Sequence, residues 1–159
     1  MRNFKRKYKS PRMSWDSEQI AQRGALEKEF GLRRRKEILI AQEVLRGFRG
    51  RARVLINAKD ERKKKDLLDR LVKLGLLESG KGLDDVLALT VNNILERRLE
   101  TIVWRKGLVS TPRGARQLIT HGHVTVNSRA VKSPSYMVPT DEEPTVALKG
   151  QRQGGGEKQ

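Results

Sequence analysis

Residues 111–131, TPRGARQLITHGHVTVNSRAV, contain the strongest fold signals in this chain. Thr111-Pro112 combines a capping hydroxyl with a proline at the first helical position, and this pair predicts the start of a helix. Gly122 is typical of a helix end. The residues after it alternate between apolar and polar on both sides of Asn127-Ser128, which predicts a β-hairpin with a two-residue turn. The segment therefore predicts a short helix followed by a hairpin.

Apolar residues upstream of this segment repeat with a helical period from Thr90, which can cap a helix, to Gly107, which can end it. We expect a single helix there. Two further short strands are expected downstream, at 135–138 and 145–148, around an acidic turn. Together these elements predict a helix–helix–β-hairpin domain over residues 90–149, with the last strands placed either in this domain or back on the preceding helical body.

The first 89 residues predict a basic arm over 1–13 and a helical body. Gly47 and Gly50 are expected to interrupt the second helix near its end, although its apolar pattern continues beyond them. The four helices are expected at 14–30 with Ser14 or Asp16 as the cap, from 33 onward, after Asp60, and at 83–89. The low-complexity tail 150–159 is expected to be disordered. The predicted fold class is α+β.

The charge of the chain indicates a polyanionic partner. Its 159 residues carry 35 Lys and Arg against 19 Asp and Glu, a formal net charge of +16. Such a charge attracts nucleic acid and releases its counterions on binding. The absence of cysteine excludes disulfides, thiol catalysis and cysteine-based zinc sites. With neither a signal-peptide pattern nor a long apolar run, we expect a cytoplasmic protein that contacts no membrane and no DNA.

Arginines on the predicted helices suit phosphate binding. Arg98 and Arg105 are two helical turns apart, and Arg113 and Arg116 share a face with Gln117. A guanidinium group presents a planar fork of donors to phosphate oxygens. A solvated basic face is the alternative. Residues 90–138 carry eight basic and two acidic side chains, so intrahelical ion pairs cannot account for the cations. Basic clusters in the helical body are weaker candidates for the same role.

Other motifs do not meet the requirements of the sites that they resemble. Gly75–Lys81 lacks the Ser or Thr that a phosphate loop needs after its lysine, and a helix precedes it. His121 and His123 have no third metal ligand nearby. The Gly47–Gly50 spacing resembles a nucleotide-clamping loop without the surrounding domain, and Asp84-Asp85 resembles a helix start. We therefore expect no cofactor, no metal and no catalytic site.

The stretch 94–131, ILERRLETIVWRKGLVSTPRGARQLITHGHVTVNSRAV, resembles the RNA-binding domain named after small-subunit ribosomal protein S-four. The segments KYKSPRMSWD (7–16), LLDRLVKLGLL (67–77) and GLDDVLALTVNNILERRL (82–99) resemble the archaeal members of that ribosomal family. The resemblance covers roughly residues 5–148. Some members of the family hold zinc with N-terminal cysteines, and this chain has no cysteine. The resemblance therefore implies no metal here.

This resemblance implies a structural, non-enzymatic protein of the small ribosomal subunit. It would bind ribosomal RNA at a helix junction, help nucleate assembly and lie beside neighbouring ribosomal proteins, among them the S-five family protein. A subunit biogenesis factor and an accessory part of an RNA-modifying enzyme are the alternatives. The expected RNA-binding residues are Arg33, Arg34, Arg35, Arg49, Arg51, Arg53, Arg98, Arg105, Lys106, Arg113, Arg116, Gln117, His121, Arg129 and Lys132.

Overall fold

The structure is a computed structural model that describes residues 7–13, 15–58 and 60–149. The expectations for residues 1–6, for Ser14 as a cap and for the tail 150–159 lie outside this described part. The helices are α1 Ser17–Glu29, α2 Arg35–Asn57, α3 Glu61–Lys73, α4 Leu83–Ala88, α5 Val91–Glu96, α6 Leu99–Arg105 and α7 Pro112–Thr120. The strands are β1 Val124–Val126, β2 Arg129–Ala130 and β3 Ala147–Leu148, with a 3-10 helix at Glu143–Thr145.

The chain forms two compact units. The first, the N-terminal unit, contains the residues up to Val72 and Leu76–Leu95, and the second, the C-terminal unit, contains Lys73–Gly75 and the residues from Glu96 onward. Residues 90–95 therefore belong to the N-terminal unit and not to the C-terminal unit. The predicted domain limits, 1–89 and 90–149, stay a prediction.

In the N-terminal unit, α2 packs against α1 and α4. Helix α1 begins after Asp16, whose carboxylate accepts the amide N–H of Glu18 at 3.1 Å, and it ends before Gly31 in the left-handed conformation. One face of α2 is a continuous buried stripe, which consists of Ile38, Ala41, Leu45, Phe48 and Ala52. The predicted extent of α1 and the apolar stripe of α2 are confirmed, with α1 starting at Ser17.

Helix α2 is continuous through both of its internal glycines, so the predicted interruption at Gly47 and Gly50 is wrong. Glycine in a helix costs about 1 kcal/mol relative to alanine. The buried side chains of Phe48 and Ala52 extend the apolar stripe across the glycines, and their packing offsets that cost. Tertiary burial therefore determines the length of α2.

Two helices occupy the predicted span 90–107, where the sequence predicts a single helix. Helix α5 ends at Glu96, and Arg98 has an extended backbone that forms an isolated β-bridge with Met137. The Leu99 amide donates to the Tyr136 carbonyl at 2.8 Å. A partner that is distant in sequence thus replaces the local helical bonds at this point, and apolar periodicity carries no signal of it.

In the C-terminal unit, α6 packs on α7 beside a three-stranded antiparallel sheet of order β2-β1-β3. The register pairs Thr125 with Ala130 and with Ala147. The predicted hairpin is confirmed, and its turn residues Asn127 and Ser128 have φ values of 49° and 64°. The buried core of this unit consists of Leu99, Ile102, Val103, Ala115, Ile119, Val124, Val126, Val138 and Val146.

The later strands are shorter than predicted. Of the expected strand 135–138, the structure has the bridge at Met137, and of 145–148 it has β3 together with part of the 3-10 helix. The architecture is nevertheless mostly helical with a small antiparallel sheet, so the predicted α+β class is confirmed.

Candidate nucleic-acid interface

Helix α7 separates its buried side chains from its polar ones. Ala115 and Ile119 are fully buried, and the half-buried Leu118 packs beside them. Residues spaced by four lie on one helix face, so Arg113 and Gln117 share the opposite, exposed side. The amphipathic pattern of α7 therefore places these two side chains in solvent because the apolar ones are fixed in the core.

The N-terminus of α7 is capped by its own chain. The Thr111 hydroxyl accepts the Gly114 N–H at 3.2 Å, and Pro112 has no N–H to offer. A Cβ on Gly114 would lie 2.8 Å from Val109 Cγ1, so the close packing of this turn requires glycine. Few first-turn amides are thus available to an external anion. The interaction of α7 with an anion depends more on the Arg113 side chain.

The exposed side of α7 is continued by residues near its C-terminal end. His121 is the exposed C-cap of α7, and Gly122 follows it with φ 76°. A Cβ built on Gly122 would lie 3.3 Å from Cε of Lys132, so the lysine stem passes directly over this glycine. We call Arg113, Gln117, His121 and Lys132 the α7 strip. Within the described part of the chain, Arg113 and Lys132 form no ion pair with a carboxylate.

Arg129 extends the cationic surface onto the hairpin. It is exposed on β2, one of the two edge strands of the sheet, opposite Val126. No described carboxylate forms an ion pair with it. An edge strand that carries a cation resists pairing with another strand. The Arg129 side chain is also outside the buried core of the unit.

Glu100 forms a buried ion-pair cluster with two of the predicted RNA-binding arginines. Its side chain is 1% exposed, and its Oε2 lies 3.3 Å from Nη1 of Arg116 and 3.7 Å from Nη2 of Arg98. Arg98 itself is buried. This corrects the prediction that Arg98 and Arg105 share an exposed helix face, because the backbone leaves the helix before Leu99. Residue spacing cannot predict this cluster, since Glu100 and Arg116 lie in different helices.

Two other predicted residues are exposed and also have partners within the unit. Arg105 donates to the Glu96 carboxylate at 2.8 Å, and the ammonium group of Lys106 donates to the Glu143 carbonyl. The exposed ion pair of Arg105 contributes little to stability. The partner of Lys106 is a neutral carbonyl, so its positive charge is not neutralised by that contact.

The predicted cations of the N-terminal unit differ in their exposure and in their contacts with the rest of the protein. Arg49 is partly buried and donates to the Leu89 carbonyl at 2.5 Å. Arg51 donates to the Gly47 carbonyl at 3.2 Å, and its guanidinium carbon lies 4.9 Å from the Phe48 ring centre. The exposed side chains of this set are Arg33, Arg34, Arg35, Arg51 and Arg53. Arg49 therefore stabilises the unit, whereas the exposed cations face solvent.

Sequence reasoning did not assign a role to Arg97. The structure gives it an ion pair with Glu143 at 2.8 Å and a hydrogen bond to the Val138 carbonyl at 2.9 Å. Glu142 accepts a hydrogen bond from the Tyr136 hydroxyl at 2.7 Å, which raises the pKa of Tyr136. Arg97 and the acidic turn thus fasten the end of the unit to the start of α6. A contact between such distant parts of the chain leaves no periodic signal.

The two histidines do not form part of a larger ligand set. The ring centres of His121 and His123 are 6.4 Å apart, and the described residues contain no cluster of three potential metal ligands.

Among the described helices, none is long and apolar enough to cross a membrane.

Comparison with known proteins places this surface within a known domain. The S4 domain family matches residues 97–143, which include the whole α7 strip. The chain is 46% identical over 145 residues to small ribosomal subunit protein uS4 of Ignicoccus hospitalis, a match that covers 89% of this chain and 87% of that protein. It is 45% identical over 143 residues to uS4 of Saccharolobus islandicus strain L.S.2.15, covering 87% and 79%.

Proposed function

This chain belongs to the small ribosomal subunit protein uS4 family, and from that premise we propose that it binds small-subunit ribosomal RNA directly as a structural constituent of the subunit. The proposed site on the RNA is a helix junction. Arginine and lysine side chains hold phosphates there and fix the RNA helices relative to one another, which helps nucleate assembly. Recognition of this kind depends on RNA shape more than on base sequence.

The α7 strip is the observation that supports this function most directly. It presents Arg113 and Lys132 on a face whose opposite side is packed into the core, and neither cation pairs with a described carboxylate. Gln117 and His121 lie between them on the exposed surface and add neutral hydrogen-bonding groups. A rigid row of donors on a helix is suited to successive phosphates of a folded RNA backbone.

The remaining predicted residues have two proposed roles. Direct phosphate contacts are proposed for the exposed cations Arg33, Arg34, Arg35, Arg51, Arg53, Arg105, Lys106 and Arg129. Arg98, Arg116 and Arg49 contact other groups of the protein, so we propose that they position the binding elements. Arg116 is the one of these three that stands next to the α7 strip.

We further propose that the protein acts in the cytoplasm within the small subunit and has no catalytic activity. The S-five family protein is the proposed neighbour. The names of the relatives favour a subunit constituent over the alternatives, a biogenesis factor and an accessory part of an RNA-modifying enzyme. A constituent is present at one copy in each mature subunit. A biogenesis factor is found in precursors and is absent from mature particles.

Crosslinking in cells, followed by sequencing of the bound RNA, tests the function. The expected result is a dominant signal at one junction of small-subunit ribosomal RNA. Quantitative mass spectrometry of purified mature subunits is the companion measurement, with one copy of the chain expected in each. Signals scattered over unrelated RNAs, or absence of the chain from mature subunits, would contradict the proposal.

A further inference from the structure

The N-terminal unit contains an open apolar groove whose apolar walls lie outside the proposed RNA contacts, and Arg51 at its rim is the one lining residue that belongs to both. It lies between the C-terminal half of α2 and α3 and has a volume of about 640 Å³. Val54, Leu55 and Leu67 contribute apolar walls. Val54 is 69% exposed, although valine is a residue that is usually buried. The groove is therefore large enough to receive apolar side chains of another molecule, and it leaves an apolar wall in water.

Gly47 and Gly50 line the groove on the α2 side. They are three positions apart on a continuous helix, so they lie on the same side of it. A Cβ built on either residue would meet no other atom within 4 Å. Packing among the described residues thus gives no reason for glycine, which lowers helix stability relative to alanine. Their small size leaves room for an external group to approach the helix backbone closely.

Charges at the rim of the groove are mainly positive. Lys63 forms an ion pair with Asp60 at 2.6 Å. The charges that remain at the rim are the positive Arg51 and Arg70 and the negative Asp66. Neither arginine pairs with a carboxylate of another described residue. Arg51 is also held in place by the Gly47 carbonyl and the Phe48 ring. A fixed guanidinium group beside an apolar wall is complementary to a carboxylate that flanks apolar side chains.

We propose that this groove binds an apolar segment flanked by Asp or Glu from a neighbouring protein of the small subunit. The inference rests on the proposed function, since it places the chain in that subunit. RNA is disfavoured as the occupant because a ribose-phosphate backbone offers little apolar surface to bury against Val54, Leu55 and Leu67. Apolar side chains inserted over the glycines would bury this surface, and the acidic flank would pair with Arg51 and Arg70.

Site-specific photocrosslinking in mature subunits tests the proposal. The full chain is produced with p-benzoylphenylalanine in place of Val54, or separately in place of Asp66, and subunits assembled in cells are purified and irradiated. A matched control carries the same group in place of Ile40, an exposed position of α2 outside the groove. Mass spectrometry then maps the attached residue. We expect both groove positions, and not the control, to attach to an apolar residue near Asp or Glu in another subunit protein.

Three variants check the chemistry of the groove. Gly50→Leu places an apolar side chain in the groove from a Cβ that meets no neighbouring atom within 4 Å. It should abolish the crosslink while circular dichroism of the purified protein stays unchanged. Arg70→Glu should abolish it by charge repulsion, and Arg70→Lys should retain it.

The outcomes separate this proposal from the function on which it rests. Attachment to RNA or to this chain itself, or no attachment from either position in mature subunits, overturns the groove proposal alone. Absence of the unsubstituted chain from mature subunits overturns both.

Discussion

Arg113 and Arg116 are three residues apart on the same short helix and have different surroundings. Arg113 is exposed and has no carboxylate partner among the described residues, whereas Arg116 lies 3.3 Å from the buried Glu100. The arginine side chain is the same in both cases. Its surroundings decide whether the charge is available to RNA or is already used to neutralise a carboxylate inside the protein.

Replacing Arg113 with Ala should weaken RNA binding without affecting the fold. Exposed positions seldom change stability by more than about 0.5 kcal/mol. The dependence of affinity on salt should become shallower by roughly one unit of slope for the lost phosphate contact. Filter binding at several salt concentrations and thermal denaturation measure the two quantities.

Replacing Arg116 with Ala should instead destabilise the protein. Removal of a partner from the buried Glu100 carboxylate should lower the free energy of unfolding by about 1–3 kcal/mol. Denaturant unfolding measures the loss. If Arg116→Ala unfolds at the same denaturant concentration as the unsubstituted protein, the Glu100 cluster does not stabilise the core as described.

The turn of the hairpin has a conformation that its residues do not prefer. Asn127 and Ser128 both have positive φ, as a two-residue turn of this type requires. Both residues have a Cβ that crowds the backbone in the left-handed region, and the local hydrogen bonds of an amide side chain make that region more accessible to asparagine than to serine. The hairpin forms because Val124 and Val126 are buried in the core on one side of it.

Replacing Ser128 with Gly should therefore stabilise the hairpin. Relief of the left-handed strain, roughly 1–2 kcal/mol, exceeds the roughly 0.5–1 kcal/mol of conformational entropy that glycine loses on folding, so the midpoint of thermal unfolding should rise. Ser110→Gly is the control, because Ser110 is exposed and has no positive φ. Equal effects of the two substitutions would mean that strain at the turn contributes nothing.

Gly75 and Gly80 belong to the connection between α3 and α4 and both have positive φ, at 65° and 92°. An added Cβ on Gly75 would lie 2.8 Å from Cζ of Arg97, whereas one on Gly80 would meet no atom within 4 Å. The two positions therefore separate backbone strain from the loss of a side-chain contact.

Gly75→Ala should destabilise the protein more than Gly80→Ala. Both substitutions incur roughly 1–2 kcal/mol of backbone strain, and the first also displaces Arg97 from Glu143. The two midpoints of chemical denaturation provide the comparison. Equal losses would show that the Arg97 ion pair is not coupled to this loop.

Across the whole molecule, 35 Lys and Arg side chains face 19 Asp and Glu, so one-to-one pairing would still leave 16 cations without an acidic partner. Several of the cations are held by Glu96, Glu100 or Glu143, and many exposed ones have no such partner in the described residues. The long-range attraction to RNA therefore comes from the entire chain. The orientation of binding depends on a smaller set of fixed side chains.

Affinity for ribosomal RNA should fall steeply with salt. If roughly 6–10 phosphates are contacted, the association constant should decrease about 10³–10⁵-fold between 50 and 200 mM salt. A nearly flat plot of log affinity against log salt concentration would contradict phosphate clamping. Titration of RNA over that range with a constant pH and temperature is the measurement.

The sequence alone determined the α+β class, the cap and end of α7, the hairpin and the charge that indicates a nucleic-acid partner. These features depend on neighbouring residues: Thr111-Pro112, the spacing of Ala115 and Ile119, and the alternation around Asn127-Ser128. Their physical causes act within one or two turns of the chain. Local pattern is therefore sufficient to predict them.

Only the tertiary structure decided which predicted residues are free to bind RNA. The break between α5 and α6 depends on the Arg98–Met137 bridge, and the burial of Arg98 and the pairing of Arg116 depend on Glu100. The continuity of α2 through its glycines likewise depends on core packing. Each of these features joins residues that are distant in sequence, and a contact of that kind has no spacing that a linear pattern can reveal.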